Sequence, residues 1–130
     1  MITDSFNAET GIVIVVLSGK VTMEEILDWA PTLTTPERFP TRAIKMLYDA
    51  SDVEYSFHPS QLKELVKATT DFCNYFKSVK IAIVHTQARG LAFSEVIRSK
   101  ISNKNFSQQS FFIREDALKW LLNHGTEGLI

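Results

Sequence analysis

Three observations on the sequence predict an α/β fold: a single, mostly parallel, mixed sheet of five strands with about four helices, in the order β-β-α-β-α-β-α-β-α. Short apolar runs rich in β-branched residues, above all Ile12–Leu17 and the Ile81–Val84 part of Val79–His85, have the length and composition of strands. Between them lie segments whose apolar residues recur at three- and four-residue steps, the period of a helix with one buried face. The two kinds alternate, and strands alternating with helices build a largely parallel sheet with the helices packed against it.

The 130 residues suit one domain, 1–130, with one core. Apolar residues make up 45% and charged ones 22%, a globular rather than a disordered composition. A net charge of −1 gives no bulk attraction to nucleic acid or to an anionic membrane. No nucleic-acid partner is therefore expected, and Arg89, Arg98, Lys100 and Lys104 read as the solvated face of a helix. The longest apolar run, Ile12–Leu17, is too short to span a bilayer, and Met1–Ser5 lacks the basic patch and apolar core of a secretory signal. The single cysteine, Cys73, cannot form an internal disulfide, which suits a reducing, cytoplasmic location.

In chain order, Ile2–Asn7 reads as a short first strand, and Ala8-Glu9-Thr10-Gly11 as a hairpin turn in which Gly11 tolerates positive φ. Ile12–Leu17, continuously apolar, is a strand buried on both faces that ends at Ser18-Gly19-Lys20. Thr22 caps the first helix, Glu25 completes a capping box, and Glu24 suits the helix dipole. Met23, Ile26, Leu27 and Ala30 face inward until Thr34-Thr35-Pro36 stops the helix. Residues 35–43, with Pro36 and Pro40, form a surface connection. Ile44–Asp49 is the next strand and Asp52–His58 a long loop, after which Pro59 opens the second helix. Leu62, Leu65, Val66, Thr69, Phe72, Cys73 and Phe76 give that helix its stripe, and it ends near Lys77. Val79–His85 is a central strand, and Gln87–Ile101 a third helix whose first turn Gly90 weakens. Ser110–Ile113 is the last strand. Glu115 and Asp116 open a final helix, with Ala117, Leu118, Leu121 and Leu122 inward and Gly125 as its stop.

Ligands and partners of such sheets are met beyond the carboxyl ends of the strands, which directs attention to Asp49, Ser51 and Asp52 after one central strand and to His85 and Arg89 after its neighbour. The two groups are expected to share a rim. Three readings compete for the acidic loop: a Mg²⁺ site, a phosphorylation switch at Ser51, and side-chain to backbone capping. His58 reads as a turn residue, and His124 as a helix-end residue. Phe57, Phe72, Phe76 and Phe93 could line a site for a small apolar or lipid-like ligand, and core packing explains them equally well. Either Trp29 and Trp120 are both partly buried, or one of them anchors a protein interface. No phosphate-binding, dinucleotide, hydrolase or zinc-protease motif is present. No catalysis, cofactor or metal is therefore expected.

Several stretches together resemble a known family: Gly11–Gly19, Val21-Thr22-Met23-Glu24-Glu25, Leu47-Tyr48-Asp49-Ala50-Ser51, Lys80-Ile81-Ala82-Ile83-Val84 and Phe112–Leu121. Their order and spacing, over nearly the whole chain, resemble the SpoIIAA-like proteins, bacterial STAS-type domains whose fold is also compared with CRAL-TRIO lipid-binding domains. The resemblance implies a sheet flanked by helices and a non-enzymatic role in regulation or ligand binding. In anti-sigma-factor antagonists of this type the phosphorylated serine follows an aspartate after a central strand, the position of Ser51 after Asp49 here. Those antagonists usually carry glycine next and enter the helix almost at once, whereas here Asp52 follows and Val53–His58 intervene before Pro59. The expected function is a cytoplasmic interaction module that presents the Asp49 and His85 loops to a protein partner or to a second copy. A carrier of a small apolar ligand is the alternative.

Overall fold

The computed structural model describes residues 1–35, 38–40 and 42–122. Among them the strands are β1 (Ile2–Asn7), β2 (Ile12–Thr22), β3 (Ala43–Ser56), β4 (Ser78–His85) and β5 (Phe106–Phe111). The α-helices are α1 (Met23–Trp29), α2 (Leu62–Tyr75), α3 (Ala88–Lys100) and α4 (Arg114–Leu122). The strands lie side by side in chain order, β1 antiparallel to β2 and the others parallel. This is the mixed α/β sheet the sequence predicts.

Strand order explains where the helices go. When each new parallel strand is added on the same side, right-handed crossovers carry every connecting helix over one face of the sheet. On that face Val15, Met46 and Ile81 pack against Leu33, Phe72, Cys73 and Phe76. Among the described helices only α4, which follows the last strand, covers the other face, where Ala117 and Leu121 meet Ile12, Leu47, Ala82 and Val84. Adjacent residues of a strand point to opposite faces, and with both faces covered the neighbours Met46 and Leu47 are both fully buried.

Local chemistry sets the turns. Gly11 takes a φ of 73°, and the Asn7 side chain accepts from the Glu9 and Thr10 N–H groups at 2.9 and 3.2 Å. The Thr22 hydroxyl accepts from the Glu25 N–H at 3.2 Å and caps α1. Helical structure continues past Trp29 as a 3-10 helix, Ala30–Thr34, which accommodates Pro31. Both tryptophans are partly buried with internal partners: the Trp29 indole donates to Asp4 at 2.8 Å, and the Lys80 ammonium donates to the Trp120 carbonyl at 2.8 Å beside that ring.

Three expected boundaries are corrected. β2 does not end at Ser18-Gly19-Lys20: Ser18–Thr22 pair with Asp52–Ser56, so the expected Asp52–His58 loop is mostly strand. The last strand is Phe106–Phe111 rather than Ser110–Ile113, because Val79 pairs with Phe106 and Val84 with Phe111. Phe112 and Ile113 are then 56% and 58% exposed, outside the sheet. Pro36, His124 and Gly125 lie outside the described residues.

Candidate functional site

The site begins where β4 stops. His85, its last residue, is opposite Ala50 of β3, while β3 continues to Ser56 paired with β2 alone. Val16 pairs with Asp49 and Ser18 with Asp52, so β3 carries one residue more than β2 across this step. Such a bulge bends the strand and re-aims its side chains. Asp49 holds the bend: one carboxylate oxygen accepts from the Ser51 N–H at 3.1 Å and from the Ser51 hydroxyl at 2.5 Å. Its other oxygen is 3.6 Å from the Arg114 guanidinium of α4. The Thr86 hydroxyl, just past β4, donates to the Ser51 carbonyl at 3.0 Å. The bond from the Ser51 N–H is a side-chain to backbone cap of the kind expected for Asp49. Asp52 is exposed, and among the described residues no three metal-ligating side chains converge.

His85 and Asp49 are one register step apart on adjacent strands, but they leave the sheet on opposite faces. Asp49 turns toward α4; His85 turns toward α3, where Gly90 lies against its ring. A Cβ at Gly90 would stand 2.9 Å from His85 Nδ1, so glycine is needed for close approach, a reason that helix propensity does not reveal. His85 is 1% exposed, and its Nε2 has no hydrogen-bond partner among the described residues. Burial lowers its pKa below the ordinary 6.5, and the Glu95 carboxylate works in the opposite direction. Arg89, in the first turn of α3, is exposed.

A cleft of about 870 Å³ opens between the overhanging part of β3 and the start of α3. Exposed Ser51, Asp52 and Arg89 line it, with the buried His85 ring at its floor, whereas Asp49 is not part of its lining. Tyr55, Phe57 and Phe93 line it as a mutually packed trio with ring centroids 5.2 to 5.4 Å apart. A second, smaller cavity of about 110 Å³ lies between the sheet and the helices, with Tyr48, Tyr55, Phe72 and Phe93 in its wall. The four phenylalanines singled out from the sequence thus do not form one pocket. Phe57 lines the cleft, Phe72 the inner cavity and Phe93 both, whereas Phe76 packs in the core against Phe72, Tyr75 and Phe39 and lines neither. Burial pushes the Tyr55 hydroxyl up to about 12 and raises Tyr48 further, with Tyr55 adding to that shift. Tyr55 is not among the site residues expected from the sequence, yet Val53, Tyr55 and Phe57 alternating with Asp52, Glu54 and Ser56 is a strand signal.

The architecture can be compared with solved structures. A DUF3478-family protein of uncharacterised function with a SpoIIAA-like fold, from Shewanella loihica PV-4, superposes with a TM-score of 0.65 at 19% identity, over 93% of this chain and 92% of that one. The fold is SpoIIAA-like. An anti-sigma factor antagonist from Mycobacterium paratuberculosis shares the architecture, with a TM-score of 0.53 at 17% identity over 93% of this chain and 94% of that one. The STAS-type resemblance read from the sequence is thereby found in the fold. No family model and no curated protein matches the sequence. Within this fold Ser51 stands in mid-strand, and helical structure begins only at Pro59. No helix among the described residues is long and apolar enough to cross a membrane.

Proposed function

We propose that the chain is a non-enzymatic, cytoplasmic regulatory module of STAS type that binds a protein partner at the rim where β4 stops and β3 continues. Asp49, Ser51, Asp52, His85 and Arg89 are its site residues. The observation that carries this reading is the fixed geometry of the rim: Asp49, Ser51 and Thr86 are hydrogen-bonded into one polar step beside an open cleft. The fold neighbour described as an anti-sigma factor antagonist supports a regulatory role. Asp52 and Arg89 supply exposed charges for the partner, and buried His85 positions α3 through Gly90. A phosphate on Ser51 would bring a charge of about −1.5 to −2 against Asp49 and break the step, so modification there releases the partner.

The apolar-ligand carrier receives no support. The inner cavity, about 110 Å³, is well below the ~300 Å³ at which small-molecule pockets begin. The larger cleft is open and bordered by Lys20, Asp52, Glu54 and Arg89, a poor wall for a lipid.

The test is affinity capture from the source cell. A partner held by the wild-type chain is expected to be lost to Arg89→Glu and weakened by Asp49→Ala and Ser51→Glu. Lys67→Glu, on the exposed face of α2, should retain it. If the partner stays bound to all three rim variants, shown to be folded by circular dichroism, the rim is not the interface. Unfolding of Asp49→Ala would assign that residue to capping alone.

A further inference from the structure

Resting on that reading of the rim, we infer that the free edge of β3 from Asp52 to Ser56 receives an extended segment of the partner protein as an additional strand. The segment places an apolar side chain on Tyr55, Phe57 and Phe93 and an acidic one near Arg89. β3 runs on past Ala50 for the residues Ser51–Ser56, about 20 Å of strand at ~3.3 Å per residue. On one side this stretch pairs with β2. On the other, the lane that β4 would occupy is vacated at His85, and the cleft fills it.

The first main-chain acceptor in that lane already has a stand-in partner, since the Thr86 hydroxyl donates to the Ser51 carbonyl at 3.0 Å. Beyond it no backbone partner for Asp52–Ser56 lies on that side among the described residues. A row of main-chain donors and acceptors is matched by another extended backbone, which pairs them in series and sends alternate side chains to one face. A compact small molecule leaves most of the row unpaired. The aromatic trio on the cleft side fits one of those alternate side chains. Arg89 has no ion-pair partner among the described residues, and its charge selects an acidic neighbour. Asp52 and Glu54 make the edge unattractive to an unselected strand.

The probe is a random linear peptide library selected against the full chain, followed by the best synthetic peptide and its backbone N-methyl scan. Strand addition predicts that the peptide slows amide exchange within residues 52–56. It also predicts a loss of about fivefold or more at every second N-methylated position, with the intervening ones tolerated, because each lost main-chain hydrogen bond is worth ~1 kcal/mol. Arg89→Glu should weaken the same peptide. Binding at the cleft without the two-residue period overturns strand addition and leaves the rim reading standing. Selected peptides that protect other surfaces, or no selected peptide at all, remove both. Concentration-dependent protection of residues 52–56 in the chain alone would make a second copy the occupant and overturn the partner segment.

Discussion

Gly90→Ala tests quantitatively whether His85 positions α3. On helix propensity alone, alanine is favoured over glycine in a helix by about 1 kcal/mol. Against this, the new Cβ would stand 2.9 Å from Nδ1 and 3.6 Å from Cε1 of His85. A relaxed contact is nearer ~3.5 Å, so the ring must retreat by roughly 0.6 Å. At 1% exposure the ring has little room to do so. Overpacking of this kind costs roughly 1–3 kcal/mol. The expected balance is a net loss of about 1 kcal/mol in the native background. With His85→Ala the obstacle is gone, and the same substitution should then stabilise by about 1 kcal/mol. Urea unfolding of the four proteins in this cycle reads the coupling, about 2 kcal/mol with a change of sign. An equal gain in both backgrounds would refute the interlock and remove His85 from the site.

Stability should fall as the pH drops below about 6.5, since the unfolded chain then takes up a proton on His85 that the folded chain resists. The sign follows from a lowered folded pKa: the contribution is complete above 6.5, the unfolded value, and is lost as the pH falls through the folded one. Urea melts between about pH 5 and 8 should show this slope, and His85→Gln should flatten it. Cys73 is fully buried, and burial pushes its thiol up to about 11. It should ignore Ellman's reagent at about pH 8 until the protein is unfolded, and rapid labelling of the native state would show that α2 opens readily.

The elements legible in the sequence are those in which burial and local chemistry agree. Ile12 and Val13 are buried on opposite faces, so β2 is written from Ile12 to Leu17 as an unbroken apolar run. Thr22 announces α1 because its hydroxyl satisfies a local N–H. β5 is hard to place from sequence because its interior, Ser107-Gln108-Gln109-Ser110, is polar: it is an edge strand held by main-chain pairing with β4, and the Gln108 side-chain amide donates to the Ser94 carbonyl at 3.1 Å. The adjacency of the Asp49 and His85 strands could be read from their matching patterns, but the opposite facing of the two side chains depends on register. The cleft was hidden for a related reason. It exists because β3 outruns β4, and relative strand length is a property of two segments together.

The position of α4 at the end of the order bears on how the protein is made. Ile12, Leu47, Ala82 and Val84 are all synthesised before Ala117 and Leu121, the residues that shield them. Until α4 leaves the ribosome, one broad side of the nascent sheet is bare oily surface. That interval is when the growing polypeptide is most open to aggregation or to capture by a chaperone.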